Sequence, residues 1–274
     1  MRDTKRPQRE PLVRLAKRDD MGCGKKWAIR LAAIVLALVT GSLFVAVLGH
    51  DPLAVYHDII SGSLGTHTAR TVTVRQAIPL LGAALALAPA FKMKFWNIGA
   101  EGQIMVGGIA ATYFALFYFD KLPKPALLLV MALAAIVAGG LWGLVPAFFK
   151  AKWGTNETLF TLMLNYIALG IESYLQNGPW KDPKGTGFPI IAMFDQNARL
   201  PKIGGVHAGW IVVLLLTVGM FVYMRYSKQG YEISVVGESV RTARYAGMNV
   251  AKIVMRTMFL SGAIAGLMGF LVVS

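Results

Sequence analysis

The sequence predicts an all-α fold: a polytopic transmembrane helical bundle with about seven helices, running over residues 27–274. Three observations predict it. Apolar residues make up 55% of the chain and the mean hydropathy is +0.54. Several apolar windows reach or approach 18 residues with few charges, the length that carries a helix across about 30 Å of hydrocarbon. The basic residues gather at the ends of those windows, where orientation signals belong, so the formal charge of +14 does not mark a nucleic-acid surface. The single Cys23 excludes a disulfide framework, and no Cys/His cluster has metal-ligand spacing. No G-x-x-x-x-G-K-[ST] loop occurs. No metal, cofactor or catalytic residue is expected.

The elements follow in order. Residues 1–26 are polar and strongly basic without apolar periodicity, and read as a disordered tail. The apolar segment 27–48 is too long for a signal-peptide core and reads as a retained transmembrane helix. Residues 49–75 carry Asp51-Pro52, Ser61-Gly62 and Gly65, which are breaker signals, and His50, His57 and His67 read as solvated loop residues. Helices are then predicted over 76–91, with Pro79 and Pro89 near its ends, over 103–119, and over 125–149, with Pro125 at the first helical position. A helix over 157–176 precedes a Pro- and Gly-rich loop, 177–208. A helix over 209–226, a polar stretch over 227–251 and a last helix from about 252 complete the chain.

Alternating the helices from a cytoplasmic N-terminus leaves 20 of the 28 Lys and Arg residues inside, ten of them by Arg30 and six between Arg225 and Arg256. Of the eight outside, four lie in the loop 177–208. The bias follows the positive-inside rule and predicts that loop to be external. Gly139-x-x-x-Gly143 and Gly262-x-x-x-Gly266, with Gly269 beyond, read as helix-packing stripes.

Three stretches carry the functional expectations. Lys92 to Gln103 interrupts an apolar run from Ile78 to Phe119 with two glycines, the amides Asn97 and Gln103, and the carboxylate Glu101. Irregular backbone at membrane depth survives where it is buried in protein or faces water, and an ionisable group there marks a functional site. Residues 97–103 therefore read either as a bend near a solute pathway, with Gly99 and Gly102 permitting tight backbone, or as a short cytoplasmic hairpin. On the helix 157–176, Thr158, Thr161, Asn165 and Glu172 share a stripe about 60° wide. Polar groups so placed face another helix or a polar pathway. Finally, Glu238 to Gly247 reads as a short cytoplasmic helix, acid first, Arg241 and Arg244 later and Gly247 as its stop. That segment is either a solvated amphipathic turn or a docking helix for a soluble partner, with Ala243 and Ala246 allowing close approach.

These residues add up to a resemblance. Phe95-Trp96-Asn97-Ile98-Gly99-Ala100-Glu101-Gly102-Gln103 resembles the F-N-I-G-A-E-G-Q signature of permease subunits of bacterial ABC importers for nucleosides and simple sugars, with Trp96 beside the usual aromatic. Gly154 to Ala168 is similar to that family's T-N-E-x-x-x-T-L-M-L-N-Y-I-A segment, and Gly237 with Ala243 to Asn249 resembles its cytoplasmic coupling segment. Gly178-Pro179-Trp180-Lys181-Asp182-Pro183 is similar as well. The resemblance covers about residues 76–274 and implies that the chain lacks the family's last helices. It implies a multi-pass subunit of a bacterial inner (plasma) membrane, paired with a second permease subunit, two ATP-binding subunits and an extracytoplasmic substrate-binding protein. On that reading Asn97, Gly99, Glu101, Gln103 and Asn165 border the substrate pathway. Glu238, Arg241, Ala243, Arg244, Ala246 and Gly247 couple to the ATPase, and the chain itself is no enzyme. Nucleosides are the expected solute, with simple sugars as the alternative. An ion-coupled secondary transporter is disfavoured because only Glu101 and Glu172 lie near the apolar cores.

Overall fold

The structure is a computed structural model that describes residues 22–183, 185 and 187–274. The expected tail, residues 1–26, lies almost wholly outside the described residues. The chain forms two compact units, one ending at Thr66 and one running from His67 to Ser274.

The first unit is a helix pair, α1 (Cys23–Val47) and α2 (Pro52–Leu64). The Asp51 carboxylate accepts the Leu53 amide at 3.0 Å and Pro52 opens α2, so Asp51-Pro52 starts a helix rather than a turn. This corrects the expectation of irregular chain over 49–75. His57 is helical, although its side chain is 80% exposed as expected of a solvated residue.

The second unit contains α3 (His67–Lys92), α4 (Ala100–Phe117), α5 (Lys124–Trp153), α6 (Glu157–Asn177), α7 (Gly209–Tyr226), α8 (Lys228–Glu238), α9 (Val240–Tyr245) and α10 (Val250–Val273). Between α6 and α7 lie one 3-10 turn (Gln196–Ala198) and a two-stranded antiparallel ribbon, β1 (Lys202–Ile203) with β2 (Val206–His207). Helix α3 starts nine residues before the predicted start at Gln76 and keeps Pro79 and Pro89 inside. Prolines are tolerated there because neighbouring helices and local adjustments re-satisfy the freed carbonyls. Among the described residues six helices, α1, α3, α5, α6, α7 and α10, are long and apolar enough to cross a membrane. Helix α4 is the remaining one of the seven anticipated; Glu101 and Gln103 in its first turn lower its hydropathy.

Helix α10 is the centre of the second unit. Two-thirds of its most apolar window is buried, against 28% or less for the other five candidate spans. It packs chiefly on α5, then α4, then α3. In lipid no hydrophobic effect draws helices together, so association rests on van der Waals contact and on how closely backbones approach. Glycines set that approach. A Cβ at Gly262 would strike the Gly139 carbonyl, one at Gly266 the Ala135 carbonyl, and one at Gly107 the backbone of Gly266. Large apolar side chains such as Leu215, Val218 and Phe221 on α7 stay exposed, as a lipid-facing surface requires.

Gly262→Leu should therefore cost several kcal/mol, at or above the roughly 1–3 kcal/mol of ordinary overpacking, because backbone on both sides must move. Gly170→Ala, at a helical position with open space around it, should change stability by less than about 1 kcal/mol. Thermal unfolding of the two variants in the same detergent compares them.

Candidate functional site

The bend between α3 and α4 begins with a helix stop of unusual composition. Phe95 donates its amide to the Ala90 carbonyl at 3.0 Å, and Lys94 donates to Phe91 at 2.9 Å. This is the paired bonding of a Schellman motif, which places Lys94 in the left-handed position at φ 61°. Glycine normally fills that position; a side chain there costs about 1–2 kcal/mol. Phe95, only 4% exposed, packs near Ala90, Met93 and Ile233 and holds the stop in place.

Beyond Phe95 the backbone polar groups find unusual partners. Asn165 of α6 accepts the Gly102 amide at 2.8 Å on its Oδ1 and donates from Nδ2 to the Ile98 carbonyl at 3.0 Å. One side chain thus satisfies an orphan N–H of the α4 N-terminus and a carbonyl of the bend. Asn97 and Gln103, each 1% exposed, form a reciprocal amide pair with both bonds at 3.2 Å. The Asn97 amide also donates to Ser261 Oγ of α10 at 3.3 Å. Gly99 lies against Thr161 and Gly102 against Asn165, where a Cβ would come within 2.9 and 2.8 Å. Their role is close approach of α6 rather than special φ, since Gly99 sits at φ −80° and Gly102 is helical.

The structure thus brings Asn97, Gly99, Gln103 and Asn165 into one network with Ser261, and leaves Glu101 outside it. Glu101 is exposed in the first turn of α4, where the helix dipole favours an acid. Thr161 is fully buried and bonds to its own helix, at Glu157 and Thr158 carbonyls. Ser261 escaped the sequence reading. Its only signal was a lone hydroxyl beside Gly262 in an apolar run.

The end of α3, the α5–α6 junction and the start of α10 meet α8 and α9 around a cleft of about 700 Å³. Gly154 closes α5 in the left-handed position, φ 66°, and Asn156 caps α6 by accepting the Thr158 and Leu159 amides at 3.0 and 3.3 Å. Lys150 and Glu157 then pair at 2.7 Å across the junction. The T-N-E motif is therefore a helix start clamped to the helix before it.

The expected single helix from Glu238 to Gly247 is broken. Glu238 ends α8, and Ser239, extended at φ −157°, caps α9 by accepting the Thr242 amide at 3.2 Å. Gly237 is pressed against the Lys92 carbonyl, which ties α8 to the end of α3. Ala243 is fully buried among Ile233, Val236 and Ile253, correcting its expected place on the docking surface. Its small size serves internal packing. Gly247 ends α9 at φ 74° in a second Schellman motif, with Met248 donating to Ala243 at 3.0 Å. Arg241, Arg244, Ala246 and Gly247 are exposed, and Tyr245, which the sequence reading did not single out, is 98% exposed.

These features describe a multi-pass α-helical membrane protein with an irregular bend anchored to the bundle through alternate residues and a broken helix pair presented at one end. Residues 71–274 match the family described as branched-chain amino acid transport system / permease component, and the chain belongs to that family. It is 36% identical over 250 residues to the glucose ABC transporter permease protein TsgB13 of Haloferax volcanii, covering 86% of this chain and 65% of that protein. It is 34% identical over 251 residues to the guanosine ABC transporter permease protein NupP of Bacillus subtilis, covering 88% and 70%. It is 29% identical over 255 residues to the nucleoside ABC transporter permease protein NupB of Lactococcus lactis, covering 89% and 70%. The chain thus spans about two-thirds of the length of these relatives. No solved structure matches it.

Asn165→Leu should lose about 1–3 kcal/mol, chiefly because the buried Gly102 amide goes unpaired. Lys94→Gly should gain about 1 kcal/mol by relieving the left-handed side chain. Chemical or thermal unfolding in detergent should move in opposite directions for the two.

Proposed function

We propose that this chain is the membrane-spanning permease subunit of an ATP-driven ABC importer of a bacterial plasma membrane, and that its solute is a nucleoside. Family membership is the observation that carries the class of protein. The printed names of two relatives, for guanosine and for nucleosides, support the solute. A simple sugar is the second reading, supported by the glucose permease relative.

In this reading the chain is a transport subunit and not a catalyst; ATP is hydrolysed on separate ATP-binding subunits. A second permease subunit, alike or related, completes the pathway, and an extracytoplasmic binding protein delivers the solute to the loop 177–208. Asn97, Gly99, Gln103 and Asn165 shape the wall of the pathway by holding the bend, since their polar groups are consumed within the protein. Glu101, exposed beside that bend, is the one we assign to the pathway itself.

The charge distribution supports a cytoplasmic α8–α9 end, since alternating the helices that way leaves 20 of the 28 Lys and Arg residues inside. There α9 offers Arg241, Arg244 and Tyr245 to the ATPase. Exposed ion pairs contribute only about 0–1 kcal/mol, whereas a buried interface aromatic commonly contributes more than 1 kcal/mol. Tyr245 is therefore the expected anchor, with Glu238 and Gly247 fixing the ends of the helices that present it.

The test is uptake of labelled guanosine and labelled glucose by cells with and without the intact gene. Loss of guanosine uptake alone is the expected result; loss of glucose uptake alone selects the sugar reading. Tyr245→Ala should weaken co-purification of the ATPase about tenfold, and Arg241→Ala much less. In a Cys23→Ser background, a cysteine at Phe188 should react with an impermeant thiol reagent from outside, and one at Ser239 should not; the reverse pattern inverts the topology.

A further inference from the structure

A groove runs between α7 and α10 on the lipid-facing side of the second unit, and nothing in the function above uses it. Its polar end is a cavity of about 750 Å³ that includes Gln229, Lys252 and Arg256. Lys252 and Arg256 stand one turn apart on α10, both exposed. The Tyr223 hydroxyl is buried there without a hydrogen-bond partner. Tyr223 and Leu260 also line a second, apolar cavity of about 430 Å³, bounded by Val212, Leu216, Met220 and Ile264. The two cavities share those two residues and so lie end to end along α7 and α10.

The groove is cationic at one end and hydrocarbon at the other. From Tyr223 to Val212 it follows α7 for about 16 Å, roughly half of the ~30 Å hydrocarbon core. That is the depth of one leaflet. No Asp or Glu lines either cavity. Glu232 of α8 is close enough to interact electrostatically with Tyr223 and is the neighbouring carboxylate that would oppose an anion. Basic pockets between transmembrane helices suit anionic lipid headgroups, and two cations beside the Gln229 amide suit a phosphodiester.

We propose that this groove binds one anionic phospholipid, its phosphate held by Lys252, Arg256 and Gln229 and one acyl chain lying against Leu216, Met220, Leu260 and Ile264. The bound lipid covers apolar surface along α7 and α10. Lipid is the occupant because free phosphate has no use for the apolar half.

Native mass spectrometry of the full-length protein, purified in mild detergent and titrated with phosphatidylglycerol or phosphatidylcholine, tests the proposal. One phosphatidylglycerol per chain should be retained at least tenfold more tightly than phosphatidylcholine, and inorganic phosphate should not displace it. The double variant Lys252→Ala/Arg256→Ala should lower that retention about tenfold or more. Leu216→Trp, which fills the apolar half, should lower retention of both lipids. Glu232→Gln should strengthen phosphatidylglycerol binding, and Arg225→Ala, whose side chain lies outside the groove, should leave it unchanged. Unfolding temperatures close to that of the parent keep the comparison valid for the exposed cations. Equal retention of the two lipids, unaltered retention in the double variant, or purified protein that keeps no phosphatidylglycerol would each overturn the assignment.

Discussion

The close approach of α10 to α5 and α4 is the contact on which the rest of the second unit depends. In a bilayer, leucine gains nothing by leaving lipid for protein, so bulky apolar residues cannot specify which helices pair. Gly107, Gly139, Gly262, Gly266 and Gly269 can, because each lets a carbonyl or Cα of the neighbouring helix occupy the place of a side chain. Once α10 is seated, Ser261 comes within reach of Asn97, and Met258, Val254 and Ile253 meet the residues that carry α8 and α9. The bend and the broken helix pair are therefore two consequences of one packing decision.

The bend shows how irregular backbone is stabilised by its neighbours in a helix bundle. Key polar groups released by the interruption of α3 and α4 have named partners: carbonyls of the last turn in the Schellman bonds, the Ile98 carbonyl and Gly102 amide on Asn165, and the side-chain amides on one another. Three helices contribute to that closure besides the bend itself. Lys94 sits in a conformation that costs about 1–2 kcal/mol, and the burial of Phe95 next to it offsets this with about 1.5–3 kcal/mol. The motif is thus held by long-range contacts and would not form in an isolated α3–α4 hairpin.

Much of this was legible in the chain. The apolar windows, the interruption near residue 97 and the stop at Gly247 all follow from local composition. The residues of the bend were legible as polar groups in the wrong place, but not their partners, because Asn97 reaches Ser261 across 164 positions and Asn165 reaches Gly102 across 63. Residues 49–75 misled because Asp51-Pro52 serves equally as a turn signal and as a cap with a first-turn proline. The docking segment misled through Ser239, a modest helix former that is a strong cap, and through Ala243, whose small size suits a buried contact as well as a surface one. Tyr245 carried no periodic signal and became visible only as an exposed aromatic at the end of a six-residue helix.

The central claim is that the buried amides build the pathway wall while Glu101 faces the solute. The direct measurement is the concentration dependence of labelled guanosine uptake for Gln103→Leu and Glu101→Gln, with the unfolding temperature of each protein measured alongside. Gln103→Leu leaves the buried Asn97 amide short of a partner, so it should lower the unfolding temperature and the amount of working transporter while leaving the half-saturating concentration unchanged. Glu101→Gln should change the half-saturating concentration or the maximal rate severalfold with the unfolding temperature unchanged. The opposite division, a kinetic effect from Gln103 without loss of stability and a silent Glu101, would contradict the account.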